Sequence, residues 1–465
     1  MSVATVEGRP LVNLALVRWH LTASAVFLAT SILAGLSFAL VFNNLYPFAG
    51  IEWLSPGRVR MVHTNMAAYG FIANAFIAGM LFAIPRLTRR PILADWLGWT
   101  VFGAWQLVLV LTIVGQLAGY GQGIEWGETP TFVDPLVMVG LVLLVVNLAT
   151  PIFQSEEPGL YVSLWYFLAA FAWTGLVYFM GNWVPQYWVP GTAGAAITGL
   201  FIHDLVGLFV TPIGWGLMYF FVPLLLRKPV WSHALSLIGF WGLAFFYPMQ
   251  GVHHFLFSPI PMYAQYGAVV ATIAVEVVVL TVIVNFFGTL HRRSDAIRGN
   301  LAIRWFYTGI IFYGITCLQC AFQVTLTFQK IIHFTDWVVA HAHMVMFGVF
   351  GSWIMGLFVE LWPRAVGRPW AEPQLLTWHY WLTLIGIILM VVDLTAAGLV
   401  QGFSWAGLNH WGHSVIASMP FWWARTVSGL LIVGGQGFLF WALWTTARRP
   451  SAIPVLPGTV GKEAA

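Results

Sequence analysis

Apolar runs long enough to cross a bilayer constrain this chain more than anything else in its sequence. Twelve follow one another, near residues 17–42, 60–84, 95–119, 135–153, 160–181, 195–225, 234–257, 265–288, 302–329, 334–362, 377–400 and 420–447. A spanning helix needs about 20 consecutive apolar residues, and these runs supply them. The 465-residue chain is 60% hydrophobic and 8% charged, whereas soluble domains carry roughly 25% charged residues. A soluble fold is excluded. The 26 tryptophans suit side chains that sit at membrane interfaces. The sequence therefore predicts an all-α polytopic membrane protein with twelve transmembrane helices. It forms one membrane domain over residues 1–465, with helices from about 17 to 447 and a short cytoplasmic tail at 450–465.

Basic residues orient such a chain, because cytoplasmic loops collect Lys and Arg. The loop after span 2 holds Arg86, Arg89 and Arg90, and that after span 6 holds Arg227 and Lys228. Arg292, Arg293 and Arg298 follow span 8, Arg364 and Arg368 follow span 10, and Arg448 and Arg449 follow span 12. The opposite loops hold only Arg58, Arg60 and Lys330, among acidic Glu125, Glu128 and Asp134. Both termini are predicted to be cytoplasmic, in a bacterial or archaeal plasma membrane. The net charge of +4 reports this topology and does not point to nucleic acid. The first apolar run is too long for a cleavable signal peptide. Cys317 and Cys320 lie in an apolar run with no histidine after Cys320. The c-type haem attachment pattern is thus absent, and both read as small buried residues.

Ionisable residues inside a membrane are costly and mark functional sites. His63 begins span 2, His203 lies two turns into span 6, His253 and His254 are adjacent near the end of span 7, and His341 and His343 lie early in span 10. With the predicted topology all six fall in the outer half of the bilayer, as a single metal layer requires. Residues two apart on an α-helix point about 200° apart, so His341 and His343 can each serve one of two metals flanking their helix. Imidazole suits iron and copper, and a proximal histidine is a usual haem ligand. His203, His253 and His254 can hold a further metal with an open position for a gas. A lone membrane histidine more often bonds a neighbour. That reading serves His20, His233, His291, His379, His410 and His413, but not six at one depth. His333 stands where it can meet a haem propionate.

These residues sit in motifs that resemble the catalytic subunit of haem-copper oxygen reductases, closest to the C-family or cbb-type cytochrome c oxidases. The motifs include Pro56-Gly57-Arg58-Val59-Arg60 leading to His63-Thr64-Asn65, Tyr161 to Tyr166, and His203-Asp204-Leu205-Val206-Gly207-Leu208. Leu235-Ser236 to Trp241, Phe246-Tyr247 to His253-His254, Asn285 to Thr289, and His333 to His343 follow. The resemblance runs from about residue 50 to 430. It implies that His63 and His343 ligate a low-spin haem b, that His341 ligates a high-spin haem, and that His203, His253 and His254 hold copper. It implies that Tyr247 is the tyrosine cross-linked to the copper histidine of span 6. On helical spacing Tyr247 and His254 would share a face, being about two turns apart; the plainer reading is a packing aromatic. It also implies that Glu125 and Glu128 help bind calcium, a hard cation suited to oxygen ligands, although a solvated acidic loop explains them equally.

Two chemistries follow. Dioxygen reduction needs four electrons, and a redox-active tyrosine such as Tyr247 can give the one the two metals lack. Nitric oxide reduction needs two, and the common reductases of this superfamily place a carboxylate four residues after the span-6 histidine, where this chain has Gly207. Dioxygen reduction with copper is therefore expected, with nitric oxide reduction as the alternative. Two departures from the C-family keep that alternative open: Gln319 stands for a glutamate, and Asp204 for an asparagine. A metal-free transporter would also have twelve helices and polar groups in the membrane, but it leaves His341 and His343 unexplained. With no dithiolate copper site and no c-type haem motif, electrons must arrive from a partner, which the resemblance makes a membrane-anchored cytochrome c subunit. Protons are expected along Ser236, Tyr219 and Thr316, although membrane hydroxyls more often bond backbone carbonyls.

Overall fold

The computed structural model describes residues 5, 6 and 9–449, so the expected tail at 450–465 lies outside the described residues. Twelve helices are long and apolar enough to cross a membrane: α1 (Leu14–Asn43), α2 (Pro56–Thr88), α3 (Asp95–Ala118), α4 (Asp134–Phe153), α5 (Val162–Tyr187), α6 (Gly191–Leu226), α7 (His233–Phe255), α8 (Met262–Leu290), α9 (Leu301–Gln323), α10 (Asp336–Val366), α11 (Pro373–Ala406) and α12 (Trp411–Arg448). Helices bond their own backbone groups, which is the condition for crossing hydrocarbon. An even number of crossings leaves both described ends on one side, the terminal face. Among the described residues the only strand pairing joins Thr5–Val6 to Arg9–Pro10.

All twelve expected spans are present, and their ends shift by several residues. α12 starts at Trp411 rather than near 420 and carries Pro420 inside it. Membrane helices tolerate such a proline because neighbours re-satisfy the freed backbone groups. α9 stops at Gln323, and a separate short helix, Leu326–Ile332, follows it.

The helices divide by environment. The most apolar stretch of α2 is 94% buried, that of α6 94% and that of α10 78%, against 22% for α1. The three central helices carry four of the six candidate histidines. Each also departs from α-helical geometry just beyond a histidine. Wide π turns occupy Met66–Ile72 after His63, Leu205–Val210 after His203 and Met344–Gly351 after His343. Such turns commonly mark functional sites.

α7 corrects one expectation. It is α-helical only to Phe246 and continues as tight 3₁₀ turns at Tyr247–Met249 and Gly251–Phe255. Pro248 is the cause, since proline lacks the N–H of the ladder and its ring crowds the carbonyl one turn back. Tyr247 and His254 therefore do not share an α-helical face.

Candidate metal centres

The first centre is a facing pair. His63 of α2 and His343 of α10 lie with ring centroids 6.0 Å apart and planes 23° apart. Each Nδ1 donates to a main-chain carbonyl, His63 to Ser31 at 2.8 Å and His343 to Val339 at 2.8 Å. That fixes both tautomers, leaving each Nε2 lone pair for a metal. Metal–imidazole bonds run about 2 Å, so the gap suits one ion between the two rings. Gly35 of α1 makes the approach possible, since a Cβ there would come within 2.6 Å of the His63 ring. Beside the pair is a cavity of about 420 Å³, lined among others by Arg60, Asp336 and Arg425. Two guanidinium groups there suit the carboxylates of a porphyrin.

The second centre is a cluster. His203 of α6 and His253 and His254 of α7 each offer a ring nitrogen, all within 4.8 Å of one another. His203 Nε2 bonds Gln250 Oε1 at 3.0 Å, which turns its Nδ1 toward His254 Nε2, 3.2 Å away. His253 Nδ1 meets Thr272 Oγ1 at 2.7 Å. Two imidazole nitrogens held face to face can share one proton, and in their neutral forms three such rings also offer lone pairs to a cation. Tyr247 lies flat on His203, with centroids 4.5 Å apart and planes 17° apart. The space for its ring is the missing side chain of Gly207, where a Cβ would fall 1.6 Å from Tyr247 Cε1.

His341 completes the set. Its Nδ1 donates to Gln319 Oε1 of α9 at 2.8 Å, and its Nε2 lies 3.5 Å from Cys320 Sγ. His341 thus faces α9 while His343 faces α2, the opposite orientations that their spacing implies.

Residues 15–431 match the family described as cytochrome c and quinol oxidase polypeptide I. The chain belongs to that family. It is 29% identical over 434 residues to cytochrome c oxidase subunit 1 of Rhodobacter capsulatus, covering 89% of this chain and 82% of that one. It is 26% identical over 431 residues to the cbb3-type cytochrome c oxidase subunit CcoN1 of Stutzerimonas stutzeri, covering 89% and 91%. A haem-copper terminal oxidase dimer solved by cryo-EM shares its fold with a TM-score of 0.77 at 13% identity, covering 94% of this chain and 84% of that one. Membership makes the chain a multi-pass membrane oxidoreductase of the cytochrome c oxidase subunit 1 type and implies haem and copper. The facing imidazoles with free Nε2 atoms, and the three-histidine cluster, fit those groups by donor chemistry.

The remaining expected residues divide. Asp204 is buried, with Oδ1 unpartnered, and does not join the three-histidine group. Glu128, only 2% exposed, accepts from Asn65 Nδ2 at 2.7 Å and pairs with Arg60 at 3.3 Å. Burial pushes its carboxyl up, and the bonds from Asn65 and Arg60 partly offset this. Glu125 is exposed beside the cavity of the facing pair. Ser236 Oγ is committed to the His233 carbonyl at 2.6 Å. The Tyr219 hydroxyl accepts from Asn285 at 3.3 Å, and Thr316 Oγ1 is buried without a partner. His20 bonds Asn74 and His379 Nδ1 bonds the Gly435 carbonyl, so both are tied into the core away from the metal candidates, with His379 Nε2 left unpartnered. His333 is tied to the backbone of His254, and burial lowers its pKa.

Three features of the site go beyond the residues expected from sequence. Cys320 contacts His341, which only packing reveals. Gln250 and Thr272 orient the cluster; Gln250 is a polar group one turn from His253, which the sequence carries, whereas Thr272 on α8 reaches His253 only through packing. Glu276 stands alone in the apolar run of α8, a signal that the sequence does carry.

Proposed function

We propose that this chain is the catalytic subunit of a terminal respiratory oxidase that reduces dioxygen to water. Electrons enter through a low-spin haem b held by His63 and His343, and the gas is reduced between a high-spin haem held by His341 and a copper held by His203, His253 and His254. When bound, those groups supply electrons and an open coordination position for the gas. The chain's own residues do the rest. Ser31 and Val339 carbonyls, Gln319, Gln250 and Thr272 hold the imidazoles in one tautomer and orientation. Arg60 and Arg425 suit the porphyrin carboxylates. Tyr247, stacked on His203, is placed to give the fourth electron and a proton.

The observation that carries the dioxygen reading is Tyr247 lying on His203 in the space that Gly207 leaves open. A carboxylate ligand at residue 207 and this tyrosine cannot coexist. Arg-rich loops on the terminal face support cytoplasmic termini in the plasma membrane, with a membrane-anchored cytochrome c-type subunit as donor on the far side. Metal analysis run beside gas consumption tests the reading. Copper with dioxygen uptake is expected; non-haem iron with nitric oxide uptake would replace it by nitric oxide reduction.

A further inference from the structure

Glu276 lies midway along α8, at the centre of an apolar span. No metal candidate uses it, and a carboxylate at that depth is costly and is a functional-site candidate, proton relays being one such role. Its surroundings connect the metal layer with the terminal face. One turn away on the same face of α8, the Thr272 hydroxyl donates to the Ala268 carbonyl at 2.7 Å and meets His253 Nδ1 at 2.7 Å. Across from it on α9, the buried Cys317 thiol lies against both the Glu276 carboxylate and the Tyr313 hydroxyl. Thr316 Oγ1, the next residue on α9, is buried with no partner.

Tyr313 continues the line toward the terminal face. Its ring meets Trp215 edge-on at 5.7 Å, and Trp215 lies one turn from Tyr219 on α6. The Tyr219 hydroxyl accepts from Asn285, whose amide also bonds the Ser232 carbonyl at 2.8 Å near the start of α7. The titratable groups around Glu276 are Cys317 and Cys320 on α9, Tyr313 on the same helix, and Tyr247 on α7. No cation balances Glu276 among the described residues. The outward neighbours Ile273 and Val277 are exposed apolar groups that suit lipid.

We propose that Glu276 is a relay carboxylate that takes protons from the Tyr313–Cys317 side and passes them to the metal layer at Thr272 and Tyr247. This rests on the reading that a gas is reduced there with uptake of protons. In each passage a Glu276 oxygen gives up one proton toward the metal layer and regains one from the Cys317 thiol, which is refilled from the Tyr313 hydroxyl, and the tyrosine is reprotonated by water from the terminal face. No electron moves in these steps, and the delivered protons end in the water made from the oxidant.

The test compares Glu276→Gln and Glu276→Asp in the complete membrane oxidase, loaded with haem and copper. With haem absorbance intact, Glu276→Gln lowers turnover on the order of 100-fold, the range of a lost proton-transfer group, while haem reduction by an added reductant keeps its rate. Glu276→Asp restores part of the turnover. Redox-difference infrared spectra show a carboxyl C=O band in the unaltered enzyme, shifted in Glu276→Asp and missing in Glu276→Gln. This arm needs no gas, so it reads the relay even if the oxidant is not dioxygen. Wild-type turnover in Glu276→Gln, or a carboxyl band that ignores both substitutions, overturns the proposal. If Glu276→Gln loses haem, the band in Glu276→Asp decides: a shift supports the relay and an unshifted band removes it.

Discussion

The two histidine centres are built on different supports. In the facing pair, both imidazoles are oriented by main-chain carbonyls, Ser31 for His63 and Val339 for His343. In the cluster, the supports are side chains: Gln250 for His203, Thr272 for His253, and one imidazole for another. The pair also stands on two central helices. The cluster joins α6 to the 3₁₀ segment that Pro248 forces on α7. A carbonyl cannot be substituted away, whereas a glutamine or threonine can. The pair is therefore tolerant of its surroundings, and the cluster depends on a few named residues.

Removing a ligand gives the largest effect and separates the centres. His343→Ala loses the low-spin haem absorbance, whereas His203→Ala keeps that absorbance and loses copper and turnover; metal analysis and a haem spectrum read both. A His203→Ala protein that retains its copper would break the distinction. Next comes Gly207→Ala, which drives a methyl group into the Tyr247 ring. Overpacking of this kind costs about 1–3 kcal/mol or more, seen as a lower unfolding temperature, and turnover falls because Tyr247 leaves His203.

Support residues come third. Thr272→Val and Gln319→Leu remove hydrogen bonds to ligand imidazoles, and such losses cost about 10–100-fold in metal affinity or activity. Ser31→Ala leaves the carbonyl that holds His63 at 2.8 Å and removes a hydroxyl bonded at 2.8 Å to the His63 carbonyl, with a longer 3.3 Å contact to His63 Nδ1. It should cost about 1 kcal/mol and leave haem content unchanged. Equal losses in Ser31→Ala and Thr272→Val would erase the contrast.

The smallest effect lies at Glu128, which braces α2 beside the pair. Burial raises its carboxyl in the folded chain, so its contribution to stability is full below the ordinary glutamate range. That contribution is lost as pH rises through the raised value. Glu128→Gln mimics the protonated form, and thermal unfolding followed from acid to neutral pH should become flatter.

Much of the fold and half of the site are legible in the amino-acid sequence. Long apolar runs dictate twelve helices, because hydrocarbon admits little else. His63, His203, His253, His254, His341 and His343 stand out because imidazoles are rare at such depth, and the spacing of His341 and His343 predicts their opposite faces. Tyr247 is a candidate by its motif, but its neighbour differs from the one that spacing predicts. The α-helical register to His254 fails at Pro248, and the ring rests on His203 instead. The calcium expectation at Glu125 and Glu128 treats the acidic loop by itself, whereas Asn65 and Arg60 reach Glu128 from another part of the chain. The contact of Cys320 with His341 and the void at Gly207 depend on packing between helices, which no local pattern carries. Glu276 is visible as an acid in an apolar run, yet it fits no metal-ligand spacing, and only its neighbours on α9 give it a role.

The wide turns after His63, His203 and His343 have one more consequence. A π turn holds one residue beyond the regular spiral, so the two halves of its helix are out of phase by about 100°. The half bearing the ligand and the half gripping its neighbours are then indexed separately, like two dials on one shaft. Shortening the chain by one residue within 205–210 would bring the dials into step and swing His203 away from His254, with the lower half of the rod undisturbed.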